Sequence, residues 1–199
     1  MKEFARKVFH GGEMEFSAYD GHGRRKYLNA GENERFLNAV RAMLPADQVF
    51  CRTLYYTGCR LSETLSLGPA SIDHEAKVIA IRTLKKREKE QIRRIPVPEE
   101  LLSNFEELNC TSEKFWEFSL TTAWRIVKTV MFLSETEGIH ACPKGLRHGF
   151  GVRCALAGIP ITTIQEWMGH SNVETTAIYL NVRDAEEREL MRKTWGNVR

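Results

Sequence analysis

Four short stretches of this sequence gather residues suited to phosphate chemistry. Thr57-Gly-Cys-Arg-Leu-Ser-Glu63 is a glycine-broken turn that presents Arg60 at the start of a short helix. Between Arg82 and Arg94, seven basic residues stand against two acidic ones in thirteen positions. Pro143-Lys-Gly-Leu-Arg-His148 carries Arg147, and Met168-Gly-His-Ser-Asn-Val-Glu-Thr-Thr-Ala-Ile-Tyr179 carries His170 and Tyr179. Arg147 stands 23 positions before His170, and His170 stands 9 before Tyr179. Opening a phosphodiester without a metal requires an oxygen nucleophile, positive charge at the non-bridging oxygens and an acid for the leaving oxygen. A tyrosine hydroxyl supplies the first. Two guanidiniums, Arg60 and Arg147, grip phosphate oxygens as planar forks and stay charged at any working pH. An ammonium from the basic run can neutralise the leaving oxygen and donate a proton.

Taken in this order, the four stretches resemble the boxes of the tyrosine recombinase, or phage integrase, family over roughly Tyr27 to Leu180. The resemblance implies a site-specific DNA recombinase that breaks and rejoins strands through a covalent 3′-phosphotyrosyl bond to Tyr179. Arg60 and Arg147 would hold the scissile phosphate, and His170 would donate to it or steady its neighbour. The acid lies at the turn after the second strand: aligning Ile81-Arg-Thr-Leu-Lys with that strand selects Lys85, with Lys86 the alternative. Lys86, Arg87, Lys89 and Arg93 are then expected on DNA phosphates. The family's third box usually begins with histidine, whereas this chain has Lys144. A lysine is a fixed cation unless burial and neighbouring charges lower its pKa, so Lys144 is expected to hydrogen-bond the phosphate without deprotonating Tyr179. His148, the last histidine of that box, is expected to be structural.

The family's chemistry needs no metal or cofactor, and its partner is double-stranded DNA. The resemblance further implies a homo-tetramer on paired recombination sites and a monomer alone. Two other readings stay open: a type IB topoisomerase-like relaxase, which rejoins the same strands, and a DNA-binding regulator that has lost catalysis. Most relatives carry a helical core-binding domain before the first box. Here that region would be an excised part or naturally absent, as in the brief fimbrial phase-variation invertases.

Composition fits this reading. With 199 residues, 42% of them hydrophobic and 28% charged, the chain can bury a core as one domain. The net charge is only +3, so the basic run holds more positive charge than the whole chain, as a phosphate-facing edge would. Five scattered cysteines with no CxxC pair suggest reduced thiols, not zinc or redox work. The N-terminus has no apolar run behind its charges, and nothing approaches the ~18 apolar residues of a membrane span; a cytoplasmic protein is expected.

The elements that must position these residues follow from periodicity. Residues 1–27 read as an extended or partly ordered lead-in. Asn29 and Glu32 resemble a capping box opening a helix with Phe36, Leu37, Val40 and Leu44 on one face. Helices are expected at Asp47–Tyr56 and Leu61–Leu67, and β-like segments at Ser71–Asp73, Val78–Ile81 and Ile92–Val97. Helices then resume at Glu99–Leu108, Thr121–Leu133, where Trp124, Val127 and Met131 keep helical spacing, Lys144–Ala157, Ile161–Met168 and Glu174–Tyr179. The fold class is α+β, mostly helical with one small antiparallel sheet. Residues 28–182 form the catalytic domain. Residues 183–199 form a C-terminal helix, Asp184–Lys193, whose Leu190, Met191 and nearby Trp195 pack on a neighbouring protomer or on their own domain.

Overall fold

The structure, a computed structural model, describes residues 17–83 and 91–181. The helices are α1 (Ala30–Val40), α2 (Pro45–Thr57), α3 (Leu61–Thr64), α4 (Glu99–Glu107), α5 (Leu120–Leu133), α6 (Pro143–Leu156), α7 (Ile161–Met168) and α8 (Glu174–Ala177), with a 3₁₀ turn at Ile178–Asn181. Between α3 and α4 lie β1 (Ile72–Asp73), β2 (Val78–Arg82) and β3 (Ile92–Pro96), an antiparallel sheet in that order. The expected final helix, with Leu190, Met191 and Trp195, lies outside the described residues.

Local chemistry explains most boundaries. The Asn29 side chain accepts from the Glu32 N–H at 2.8 Å, and the Asn29 N–H donates to Glu32 Oε2 at 2.8 Å. This reciprocal cap satisfies two orphan amides and starts α1. Glu32 also binds Arg25 at 2.7 and 3.0 Å and faces His140 Nε2 at 3.1 Å, fixing the chain before α1 to the end of the α5–α6 connection. α2 begins at Pro45 and not at Asp47, because proline's fixed φ suits the first helical turn. It ends at Gly58, whose φ of 60° reverses the chain. A side chain at Gly58 would place its Cβ 2.5 Å from the Phe150 ring, so glycine also allows α2 to meet α6. α3 is shorter than expected, ending before Leu65 as the chain bends toward the extended Gly68.

The core lies between the helices and one face of the sheet. Phe36, Val40, Phe50, Leu54, Val127, Met131, Leu146 and Ile164 are buried from the helices, and Ile79, Ile81 and Ile95 from the sheet. Trp124 does not join Val127 and Met131: it is exposed, with Lys128 Nζ 5.8 Å from its ring centre. Before Tyr27 the chain packs too, with Ala18 buried and Tyr19 bridging Arg25. All five cysteines are unpaired, with Cys51, Cys59 and Cys154 buried. Among the described residues no helix is long and apolar enough to cross a membrane.

Candidate active site

The first arginine is set by its own turn. Arg60 is the residue just before α3, where its N–H donates to Glu63 Oε2 at 2.8 Å and its Nη1 lies 2.8 Å from Glu63 Oε1. One carboxylate thus fixes both the backbone and the fork of Arg60. The Arg60 side chain is 38% exposed while Glu63 is 1% exposed, so the anchor is inside and the guanidinium reaches the surface.

The second arginine spans two boxes. Arg147 Nη1 donates to the Gly58 carbonyl at 2.7 Å and Nη2 to the Met168 carbonyl at 2.5 Å. Gly58 belongs to the stretch that holds Arg60, and Met168 to the one that holds His170. Carbonyls at helix C-termini lack intrahelical donors and attract cations, so the ends of α2 and α7 are natural seats for this fork. Burial, then repulsion from Arg60, lowers the Arg147 pKa to about 10, which leaves it charged at neutral pH.

Gly169 places the histidine. Its φ of 61° ends α7, and the His170 N–H returns to the Gln165 carbonyl at 3.1 Å. The ring turns toward Thr176, with Nδ1 2.9 Å from Oγ1. Burial first, then Arg147 and Arg60, push His170 down to about 3, so its imidazole is neutral in this setting.

Tyr179 sits over α6. Its hydroxyl lies 3.0 Å from His148 Nδ1, and the two rings meet edge to face. Only 2% of Tyr179 is exposed. Burial raises its pKa above the ordinary phenol value, with Arg147 opposing. Gly151, one helical turn beyond Arg147, is the seat: an added Cβ there would stand 2.4 Å from Tyr179 Cε2. Gly151→Ala is therefore expected to overpack this contact by about 1–3 kcal/mol in denaturant unfolding. Unchanged stability would mean that the ring moves aside freely.

His148, expected to be structural, lies against the tyrosine. It is the described side chain that touches the Tyr179 hydroxyl. Burial, then Lys144 and Arg147, push it down to about 4, leaving it neutral with a ring nitrogen on the phenol. Nothing local in the sequence reveals this contact, because it forms only when the chain after Gly169 folds back over α6. Lys144 lies one turn before His148 on the same helix face and is exposed.

These two depressed histidines carry a pH signature. Below about pH 6.5 the unfolded chain takes up protons that the folded chain refuses. Stability from this source is full above that pH and is lost as pH falls toward 4. The melting temperature is expected to drop between pH 7 and pH 4.5, and the drop to shrink in a His148→Gln/His170→Gln variant. Equal slopes for the native chain and the variant would contradict the assigned burial.

Lys85, Lys86, Arg87 and Lys89 lie outside the described residues. Arg93 does not fit its expected place on DNA. In β3, Ile92 and Arg94 face out while Arg93 and Ile95 face in, and Arg93 is fully buried. Its Nη1 donates to the Trp167 carbonyl at 2.8 Å, and its Nη2 lies 2.8 Å from Glu63 Oε2. Strand period two already pairs Arg93 with Ile95 and Val97; charge density across the run masks that signal.

The chain has counterparts among known proteins. A model described as the phage integrase family matches residues 26–186. The chain belongs to this family. Among its integrase-family relatives, tyrosine recombinase XerA of Thermococcus onnurineus is 29% identical over 178 residues, covering 84% of this chain and 62% of the relative. Tyrosine recombinase XerD of Pasteurella multocida is 27% identical over 182 residues, 82% of this chain and 59% of the relative. The chain thus spans about three fifths of the length of these curated relatives. The crystal structure of XerA recombinase superposes with a TM-score of 0.71 at 23% identity, covering 85% of this chain and 65% of that one. The catalytic domain of bacteriophage HP1 integrase gives 0.61 at 22% identity, covering 86% and 96%. The mostly helical α+β fold with one small antiparallel sheet is borne out by these likenesses and by the strand order.

Proposed function

We propose that this integrase-family chain carries the catalytic domain of a site-specific DNA recombinase, with Tyr179 as nucleophile. The observation that carries the reading is the fork of Arg147, which joins the stretch bearing Arg60 to the stretch bearing His170. The arrangement draws two guanidiniums and a neutral histidine to one place, which suits a doubly charged phosphoryl transition state.

In this reading Arg60 and Arg147 bind the non-bridging oxygens of the scissile phosphate, and His170 donates a hydrogen bond beside them. The Tyr179 oxygen attacks phosphorus, a phosphorus–oxygen bond to tyrosine forms, and the bond to the 5′ oxygen breaks. Lys85, or Lys86, protonates the departing oxygen. The phenol proton passes to neutral His148, whose Nδ1 stands 3.0 Å away, while exposed Lys144 hydrogen-bonds the phosphate. Rejoining runs these steps in reverse with the hydroxyl of another strand, so the bond energy is kept and no nucleotide cofactor enters. Because Tyr179 is buried here, attack requires the segment from Glu174 to Asn181 to shift enough to open the hydroxyl to DNA while it stays within reach of His148.

The partner is double-stranded DNA; the Tn1549 transposon integrase, with a TM-score of 0.60 at 22% identity, covering 84% of this chain and 66% of that one, is described in complex with circular intermediate DNA. We assign residues 28–182 to the catalytic domain. The chain would act in the cytoplasm, alone as a monomer and as a tetramer on two sites. Two differently labelled duplexes containing the chain's own site, incubated in EDTA without nucleotide, should exchange arms. Relaxation of supercoiled DNA without exchange would favour the topoisomerase-like reading, and binding with neither reaction would favour the regulator.

A further inference from the structure

Arg93 is the largest fully buried side chain of the described core, an unusual place for a guanidinium. Charged side chains are seldom buried unless paired, and this one adds a second tie, beside the fork of Arg147, between two parts of the active site. On one side Nη2 lies 2.8 Å from Glu63 Oε2, and the other oxygen of that carboxylate holds Arg60 Nη1 at 2.8 Å. On the other side Nη1 donates to the Trp167 carbonyl at 2.8 Å. The next carbonyl, Met168, takes Arg147, and Gly169 then turns the chain into His170. An added Cβ on Gly169 would lie 3.0 Å from Arg93 Nη1, so the guanidinium is packed against the very turn that sets His170.

We propose that Arg93 is a positioning residue: from β3 it ties the Glu63–Arg60 pair to the C-terminus of α7, and so fixes the separation between Arg60 on one side and Arg147 with His170 on the other. The inference rests on the recombinase reading given above, since it concerns where those groups stand relative to a phosphate. The strand supplies the rigidity. Ile79 pairs with Ile95 and Ile81 with Arg93 across β2 and β3, so Arg93 is anchored within the ladder. A planar fork can reach a carboxylate and a carbonyl at once, whereas an ammonium on a flexible stem is a point charge.

The test separates this role from the DNA contact that charge alone suggests. Arg93→Met removes both ties; Arg93→Lys keeps a charge for Glu63 without the fork and guards against a variant that fails to fold. Binding to a random-sequence duplex across a salt series, and single-turnover cleavage of the nicked duplex that the native chain cleaves best from a randomised pool, are measured for each. The tie predicts unchanged affinity and salt slope, with the saturating cleavage rate down about a hundredfold in Arg93→Met, as expected for small displacements of catalytic groups, and partly restored in Arg93→Lys. A phosphate contact would instead weaken binding and flatten the salt slope by about one, with cleavage intact at saturating protein; that result overturns the proposal. A third arm needs no DNA: the Glu63 carboxyl, followed by carbon NMR in the native chain and in Arg93→Lys, should titrate at higher pH in the variant. An unchanged midpoint also overturns the proposal. Absence of cleavage by the native chain would instead remove the recombinase reading and leave the NMR arm to decide the tie.

Discussion

Arg147→Met is expected to lower the single-turnover cleavage rate by about 10²–10³-fold, the usual cost of removing one preorganised charge donor from a transition state. Two features make Arg147 the most exposed to this loss. Its guanidinium is the only described group that donates to the ends of both α2 and α7, and its charge helps to lower the His170 pKa and opposes the rise at Tyr179. Arg147→Lys is expected to recover little, because an ammonium cannot place two N–H groups on carbonyls belonging to different helices while also facing a phosphate. The measurement is quenched cleavage at saturating protein, where a rate within tenfold of native would remove Arg147 from the mechanism.

Glu63→Ala should have the largest effect on stability. It strips the partner from a fully buried Arg93 and from the amide and fork of Arg60 in one change. Removing one member of a buried ion pair leaves an uncompensated charge and costs about 3–5 kcal/mol, to be read from denaturant unfolding. Burial alone would raise the Glu63 pKa, but Arg93 and the Arg60 amide overcome it and the net shift is downward. A carboxylate held below its ordinary value adds stability above its unfolded pKa of about 4.3 and loses it as pH falls further. The Glu63→Ala deficit should therefore shrink in acid. A deficit below about 1 kcal/mol at pH 7 would match an exposed pair and would contradict the buried placement.

Much of this was readable from the residues. Asn29 with Glu32 announces α1, Gly58 and Gly169 mark the ends that seat Arg147, and the intervals among Arg147, His170 and Tyr179 announce the family. These signals are local or depend on order alone. What the sequence hides is tertiary. The basic run reads as one surface, yet the pleat of β3 sends Arg93 inward while its neighbour Arg94 pairs with Asp73 at 2.6 Å outside. His148 looks like packing until the segment after Gly169 lies over α6 and brings Tyr179 to its ring. Trp124 keeps helical spacing with Val127, but the buried stripe of α5 runs through Ala123, Val127, Val130 and Met131, and Trp124 stands at its exposed edge.

The most direct measurement is covalent capture. The chain is incubated in EDTA with a pool of nicked suicide duplexes, digested, and the nucleotide-bearing peptide is sequenced by mass spectrometry, with Tyr179→Phe alongside. The account predicts a 3′-phosphonucleotide on Tyr179 in the native chain and none in the variant. Equal adducts from both chains, or an adduct on any other residue, would contradict it.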